Sequence, residues 1–287
     1  MSERFKVACI QNNAGPDILP NIREVDRLAR SARAAGAEFI LTSENFTSIE
    51  FGAERSLDKA LPEAEHPAVP HFTALAKELG VWFLMGSLTI KLSPGKVNNR
   101  SYLIDPAGRI VARYNKLHLF DVQLKAGETY RESATVEPGD RAVLAETPWG
   151  LLGMTVCYDL RFAYLYRALA QAGAGYLTIP SAFTKTTGQA HWHTLVRARA
   201  IETGAYVFAP AQCGQHAGGR KTYGHSLVVD PWGEILADGG EAPGYILAQV
   251  DPLRIAEARR MIPSLEHDCA FSGPTAAIAA RLAQAGE

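Results

Sequence analysis

Three residues of reactive type each follow an apolar or β-branched stretch of the sequence. Glu44 lies in ILTSENF, Lys116 in RYNKLHLFD and Cys157 in MTVCYDLRF. Ligand sites of α/β proteins form in the crevice beyond the carboxyl ends of the strands, so these positions suggest one shared site. A cysteine nucleophile needs a base, and the oxygen anion of an attacked amide needs positive charge and N–H donors nearby. Together these residue types predict acyl transfer, with Cys157 as the nucleophile.

Each of the three residues also has an ordinary structural interpretation. We expect Cys157 to end a strand, with a helix N-terminus nearby that favours the nucleophilic thiolate. Taken alone, Cys157 fits a buried core thiol better than a nucleophile, since free cysteine is among the most buried residue types. Glu44 alone fits a helix N-cap or a surface acid, and Lys116 alone fits a solvated surface charge.

Other common hydrolase and metal sites are not indicated. The sequence lacks a GxSxG motif, and its histidines have no obvious nucleophile partner. His191 and His193 are two residues apart and so face different sides of a helix, which argues against a zinc pair. The cysteines form no CxxC pair, so we predict free thiols and no metal site. Cys9 and Cys213 are expected in the core, and Cys269 is expected to have no role.

Composition excludes several classes of protein. Lys plus Arg total 29 against 30 for Asp plus Glu, so the formal charge of -1 predicts no binding to nucleic acid or an anionic membrane. Hydrophobic residues make up 47%, as in a soluble globular protein. No apolar run approaches the roughly 18 residues of a membrane span, and the N-terminus lacks the apolar core of a secretory signal. We therefore predict a cytoplasmic protein that acts on a small molecule.

Strand-length apolar runs alternate with helix-period segments, which predicts a layered α/β or α+β domain. Strands are predicted over 5–11, 38–42, 81–91, 100–104, 110–114, 153–157, 176–180, 205–212, 226–230 and 235–237. Helices are predicted over 22–35, 71–79, 162–172 and 191–202, three of them closed by a glycine. No linker or repeat divides the chain, so we predict one domain over 1–287. Its core covers about 6–251. Residues 252–287 are expected to form a tail that either docks across a dimer or frays.

The motifs SENF, YNKLHLFD and VCYDLRF occur in the order and at the approximate spacing of the nitrilase, or carbon–nitrogen hydrolase, superfamily. The chain resembles that family from about residue 6 to about residue 251. The resemblance implies a four-layer α-β-β-α sandwich, a homodimer or higher homo-oligomer, and a Glu-Lys-Cys triad that needs no cofactor. The family pattern includes a second glutamate between the lysine and the cysteine. Glu132 in TYRES matches that position better than Glu128 does.

The resemblance also implies a role for each of these residues. Glu44 is the general base and Cys157 the nucleophile that forms a thioester, which water then hydrolyses. Lys116 stabilises the oxygen anion together with the backbone N–H of Tyr158. Glu132 orients Lys116 or the substrate amine.

The sequence after the nucleophile indicates an amide substrate. Family members that hydrolyse nitriles typically have Cys-Trp-Glu at the nucleophile, whereas this chain has Cys-Tyr-Asp. The segments PSAFTKTTGQAHWHTLVRARAIET, AQCG and YGHSLVVDPWG look most like the branch that hydrolyses deaminated glutathione. An ω-amidase acting on α-ketoglutaramate, an N-carbamoyl amidohydrolase and a catalytically silent scaffold remain alternatives.

The same branch suggests which residues bind the substrate. Phe183 and Thr184 are expected to line the acyl pocket. Arg161 is a candidate anchor for a substrate carboxylate, since a guanidinium pairs with carboxylates through two hydrogen bonds. Alternatively, Arg161 forms a structural ion pair with Asp159 or another acid.

Overall fold

The structure is a computed structural model that describes residues 3–50, 52–124 and 129–273. Its strands are β1 Phe5–Gln11, β2 Phe39–Leu41, β3 Trp82–Ser93, β4 Lys96–Ile104, β5 Ile110–Asn115, β6 Asp121–Gln123, β7 Thr129–Arg131, β8 Val143–Thr147, β9 Gly150–Met154, β10 Tyr176–Thr178, β11 Tyr206–Ala209, β12 Cys213–Gln215, β13 Lys221–Tyr223, β14 Leu227–Val229, β15 Ile235–Asp238 and β16 Gly244–Val250. Its α-helices are α1 Ile18–Ala34, α2 Ala53–Lys59, α3 Ala68–Leu79, α4 Ala163–Gln171, α5 Lys185–Thr203 and α6 Leu253–Met261.

Two six-stranded sheets form the centre of the molecule. Their strand orders are β16-β1-β2-β3-β4-β5 and β15-β14-β11-β10-β9-β8. Helices α1 and α3 cover the first sheet, and α4 and α5 cover the second. The predicted four-layer α-β-β-α sandwich is therefore confirmed.

Strand β1 illustrates why the central strands read as continuous apolar runs. Val7 and Cys9 belong to the core between the sheets, whereas Ala8 and Ile10 pack in the core beneath α1 and α3. Phe5 reaches the opposite sheet, where its ring centroid lies 6.5 Å from that of Phe208. Neighbouring side chains point to opposite faces of the sheet, and both faces are covered. A polar residue at every second position would therefore be buried, so the strand is apolar throughout.

Several predicted boundaries change in the structure. The strand predicted over 153–157 is wrong at its end, because β9 stops at Met154 and a 3₁₀-helix, Cys157–Arg161, follows. Helix α5 begins well before residue 191, because the Thr184 hydroxyl caps it by accepting a hydrogen bond from the Thr187 N–H. The predicted ends of α3 and α5 are confirmed at Gly80 and Gly204, both in the left-handed region.

Some elements were not predicted at all. Strand β16 pairs antiparallel with β1 along its full length and closes one edge of the first sheet. Strand β8 and helix α6 were also missed. Glu128 and residues 274–287, which include most of the proposed tail helix, lie outside the described residues. No helix in the described ranges is both long and apolar enough to span a bilayer.

Strand β3 holds the loop that carries Glu44. The Gly86 N–H donates to Thr42 Oγ1 at 2.8 Å, and the Asn45 N–H donates to Ser87 Oγ at 2.9 Å. A Cβ atom at Gly86 would lie 1.9 Å from the carbonyl oxygen of Thr42. The two backbones can approach this closely only because residue 86 has no side chain, so this glycine sets the position of Glu44.

We predict that Gly86→Ala lowers the free energy of unfolding by about 2–3 kcal/mol or more, because the added methyl overlaps a carbonyl that cannot move away. Urea titration followed by circular dichroism measures this. Gly244→Ala is the matched control in strand β16, where nothing lies within 4 Å of the added atom. Equal unfolding free energies for the two variants would contradict the prediction.

Candidate active site

One lysine lies between two glutamates inside the protein. Lys116 Nζ is 2.9 Å from Glu44 Oε1 and 2.8 Å from Glu132 Oε2, although Lys116 is only 2% exposed and Glu44 only 4%. Asn99 Nδ2 donates to Glu44 Oε1 at 2.9 Å and to Glu132 Oε1 at 3.3 Å. Buried charges persist only when they are paired and hydrogen-bonded, and this cluster meets both conditions. The structure thus brings together three residues that are far apart in the sequence.

Backbone donors complete the hydrogen bonding of both carboxylates. The Ala182 N–H donates to Glu44 Oε2 at 2.9 Å, and the Phe120 N–H donates to Glu132 Oε2 at 2.6 Å. Burial alone would raise the pKa of Glu44, but the neighbouring Lys116 ammonium outweighs it and holds that pKa below its usual value. Burial would likewise lower the pKa of Lys116, yet the two carboxylates raise it well above its usual value. Glu44 and Lys116 are therefore both ionised at neutral pH.

Cys157 lies against this cluster in a strained backbone conformation. It is the first residue of the 3₁₀-helix and has a φ of 50°, held by a hydrogen bond from its N–H to the Pro180 carbonyl. Burial first, and the Glu44 carboxylate second, raise the pKa of its thiol against the opposing effect of Lys116. The expectation of a thiolate favoured by a helix N-terminus is therefore wrong for this state. The site instead pairs a neutral thiol with the ionised Glu44 carboxylate, which can accept the thiol proton as a base.

A further acid, the buried Asp159, ties the cysteine turn to the lysine loop. Asp159 Oδ2 accepts hydrogen bonds from Tyr114 Oη at 2.6 Å and the Val156 N–H at 2.8 Å. Its other oxygen contacts both the N–H and the Nδ1 of His118, at 3.0 and 2.7 Å. Asp159 is therefore fully occupied and forms no ion pair with Arg161. The alternative of an Arg161–Asp159 pair is wrong.

Arg161 is only partly buried and lies over two aromatic rings. Its guanidinium carbon is 5.8 Å from the Tyr158 ring centroid and 5.7 Å from that of Phe183. Its Nη2 lies 3.3 Å from His191 Nδ1, and no acid within the described ranges forms an ion pair with it. The guanidinium remains open to an anion.

The other predicted binding residues are Tyr158, Phe183 and Thr184. The backbone N–H of Tyr158 has no acceptor among the described residues, so it is free to bind an oxygen anion. Phe183 is buried with its ring 4.9 Å from that of Trp192. The Thr184 hydroxyl is used to cap α5, so its expected place in the acyl pocket stays a prediction.

Two further residues of the site were missed in the sequence. Asn99 bridges both glutamates, and its own buried Oδ1 has no hydrogen-bond partner among the described residues. The sequence indicated Asn99 only as a polar residue next to an apolar segment. Because the predicted strand began at residue 100, Asn99 was not included in it. Arg220 donates through Nη2 to the Ala182 carbonyl at 2.8 Å, next to the bond between Ala182 and Glu44. Nothing in the glycine-rich segment AGGRK indicated that position.

One group of described side chains has the composition of a metal site. His193 Nε2 and His225 Nδ1 lie 3.0 and 2.8 Å from the two oxygens of Asp238. Both imidazoles already hydrogen-bond this carboxylate, which leaves none of the three ligand atoms unpaired. His191 instead contacts Arg161, so the prediction that residues 191 and 193 face different sides is confirmed.

Comparisons with known proteins agree with this geometry. The carbon–nitrogen hydrolase family model matches residues 6–260. The deaminated glutathione amidase of Synechocystis is 41% identical over 92% of this chain and 97% of its own length. The structure of the C. elegans NitFhit protein superposes with a TM-score of 0.87 at 34% identity, covering 93% of this chain and 65% of that longer one.

A third relative carries a modified nucleophile. It is a variant of the amidase from Nesterenkonia sp. AN1 whose structure contains acrylamide added to the active-site cysteine. It is 26% identical to this chain, with a TM-score of 0.76, and the match covers 90% of this chain and 98% of that one.

We predict that Lys116→Met lowers the free energy of unfolding at pH 7.5 by about 3–5 kcal/mol, because it leaves the buried Glu44 carboxylate and the partly buried Glu132 carboxylate without their cation. Without the ammonium, burial raises the pKa of Glu44, so the loss becomes smaller as the pH falls and that carboxyl takes up a proton. Urea titrations at pH 7.5 and pH 5 measure both effects.

The control for this prediction is Lys96→Met. Lys96 is an exposed lysine paired with Glu137 at 3.3 Å, so its loss should cost no more than about 1 kcal/mol. A Lys116→Met deficit that grows on acidification would contradict the ionised cluster.

Proposed function

This chain belongs to the carbon–nitrogen hydrolase family, and from that premise we propose that it is a deaminated glutathione amidase with Cys157 as its nucleophile. The family establishes a hydrolase that acts on carbon–nitrogen bonds other than peptide bonds. The observation that carries the assignment of the nucleophile is the neutral Cys157 thiol beside the ionised Glu44, which itself is held by Lys116.

In the first half of the reaction, Glu44 takes the thiol proton as Cys157 attacks the amide carbon, and a carbon–sulfur bond forms. The oxygen anion that develops is stabilised by the charge of Lys116 and by the unpaired Tyr158 N–H. Glu44 then gives its proton to the amide nitrogen, so the carbon–nitrogen bond breaks and the amine leaves. The low pKa of Glu44 suits this role, because the carboxylate must be ionised before the attack.

In the second half, Glu44 removes a proton from water, which attacks the thioester and releases the acid and the free thiol. Glu132 keeps Lys116 in place throughout, since it contacts the ammonium through both oxygens and is itself held by the Phe120 N–H. Glu132 therefore positions the lysine instead of exchanging protons. The steps use side chains of this chain, the Tyr158 N–H and water.

Deaminated glutathione is a glutathione whose amino group has become a ketone, so its acyl part carries a carboxylate beside that ketone. We assign this carboxylate to Arg161, whose guanidinium has no acidic partner within the described ranges and lies over Phe183. An amide rather than a nitrile agrees with the Cys-Tyr-Asp sequence at the nucleophile. The alternative substrates α-ketoglutaramate and N-carbamoyl compounds share the first half of this chemistry.

A catalytically silent scaffold is the alternative from another class. The chain retains Glu44, Lys116, Glu132 and Cys157, and the first three form a complete hydrogen-bonded cluster. A scaffold has no need of a buried ion cluster that costs free energy to desolvate. We therefore favour the enzyme.

We also propose that the enzyme is a cytoplasmic homodimer joined through the helices on the second sheet. Apolar side chains are exposed on that side of the molecule, at 52% for Ile201, 50% for Trp232 and 52% for Met261. Exposed apolar residues that lie together commonly mark subunit contacts. Cell fractionation would test the compartment.

We predict that Cys157→Ala lowers the rate of cysteinylglycine release from deaminated glutathione at least about 1,000-fold, because no other group can form the thioester. Amine detection under saturating substrate measures this rate. The matched control is Cys269→Ala, since Cys269 is exposed and should retain full activity.

The same assay, run on several substrates, tests the proposed substrate. The wild-type kcat/KM should be highest for deaminated glutathione, above α-ketoglutaramate and N-carbamoyl amino acids. A preference for either of the others would replace the proposed substrate but retain the mechanism. No turnover, combined with no iodoacetamide labelling of Cys157 in a Cys269→Ser background, would support the scaffold.

We predict that Ile201→Asp converts the dimer to monomers of 31.1 kDa, because an unpaired carboxylate would be buried at the interface. Light scattering after size-exclusion chromatography measures the mass. Leu92→Asp is the control, since Leu92 is equally exposed, at 56%, but lies at the end of β3 in the first sheet. A monomeric wild type would rule out the dimer.

A further inference from the structure

Arg220 is connected to the proposed general base, Glu44, through a single residue, Ala182. It lies between β12 and β13, and its Nη2 donates to the Ala182 carbonyl at 2.8 Å. The N–H of that same residue donates to Glu44 Oε2 at 2.9 Å. On its other side, the guanidinium carbon is 5.5 Å from the ring centroid of Tyr130, which belongs to β7. Arg220 therefore lies between two hairpins, beside Glu44.

The guanidinium of Arg220 is only partly satisfied by the protein. Its Nε is buried and has no hydrogen-bond partner among the described residues. No acid within those residues forms an ion pair with it, although an arginine in such a place ordinarily has one. A buried donor without a partner costs free energy that a bound anion can recover. A carboxylate is the anion that a guanidinium fork fits, so the open donor indicates a substrate carboxylate.

The position of each arginine indicates which side of the amide it serves. Arg161 lies over Phe183 and Tyr158, where the acyl group is bound. Arg220 lies beside Glu44, which hands its proton to the departing nitrogen, so Arg220 faces the leaving group. In the proposed mechanism the two arginines therefore serve opposite sides of the scissile bond.

Resting on the proposed function, we propose that Arg220 binds the terminal carboxylate of the leaving group. In deaminated glutathione that group is cysteinylglycine. Its two residues span up to about 7 Å from the scissile nitrogen to the carboxylate. The two hydrogen bonds through Ala182 place the guanidinium roughly 9 Å at most from the Glu44 carboxylate. Within these limits a dipeptide can reach from the scissile nitrogen to Arg220.

This assignment makes Arg220 a specificity residue. Deaminated glutathione carries one carboxylate on each side of its scissile amide, and the site has one open arginine on each side. The ω-amide α-ketoglutaramate releases only ammonia, so its leaving group has no carboxylate that Arg220 could bind. A site with an unpaired buried donor discriminates against a substrate that leaves the donor unpaired. Arg220 therefore favours dipeptide-releasing substrates over simple ω-amides.

The test compares deaminated glutathione with its C-terminal carboxamide, which has the same shape but lacks the leaving-group charge. We expect the wild type to favour the carboxylate by roughly 10- to 100-fold in kcat/KM, the range of a charge-assisted hydrogen bond. In Arg220→Gln this ratio should fall to about 1–3, mainly through KM for the carboxylate. Arg220→Lys should retain part of the ratio, because it keeps the charge but loses the fork.

Arg161→Gln is the matched comparison, and Arg197→Gln is the control away from the site. Arg161→Gln should lower kcat/KM for both substrates and keep their ratio, since the acyl group is common to them. Arg197 donates to the Gly233 carbonyl, and its variant should resemble the wild type.

The possible outcomes separate this proposal from the proposed function. A wild-type ratio near 1, or a ratio that survives in Arg220→Gln, would overturn the role of Arg220 even if deaminated glutathione is the best substrate. A loss shared equally by both substrates in Arg220→Gln would assign the arginine to Glu44 or to the acyl group, and would overturn the proposal as well. A wild type that prefers N-carbamoyl compounds would instead refute the proposed function itself.

Discussion

The rest of the site depends on one buried ammonium, that of Lys116, held between the carboxylates of Glu44 and Glu132. Removing three charges from water is expensive, and only their mutual attraction and a full set of hydrogen bonds can offset that cost. Asn99 and two backbone N–H groups supply the remaining bonds. As a result, the loops that carry these residues have little freedom to move separately. The same attraction that stabilises the cluster also keeps Glu44 ionised and therefore basic.

A second buried acid, Asp159, supports the nucleophile without taking part in the chemistry. It binds the cysteine turn through the Val156 N–H and the lysine loop through Tyr114 and His118. This acid fixes the distance between the two sheets at the point where Cys157 adopts its left-handed φ. Strained residues persist only where their surroundings determine them strongly. The structure thus maintains the strained cysteine by tying it to the same loop that presents Lys116.

Reaction and recognition occupy different depths of the site. The ion cluster and Cys157 are buried, where a low dielectric strengthens every electrostatic interaction. The two arginines, Arg161 and Arg220, lie nearer the surface, over aromatic rings. Their charges are not neutralised by acids within the described ranges, so they can attract an anionic substrate before it reaches the cysteine.

The sequence by itself determined the alternation of strands and helices and the positions of Glu44, Lys116 and Cys157 after strands, and its motifs implied the four-layer fold through the family resemblance. These features depend on local apolar patterns and short motifs, which a chain displays without folding. Tertiary structure alone decided that the cysteine is a neutral thiol, since burial and neighbouring charges set its pKa. It also decided the partners of Asp159, and it brought Arg220 to Glu44 from 176 positions away in the chain. Such contacts join residues that no local pattern relates, because only the packing of the two sheets and their loops brings them within reach.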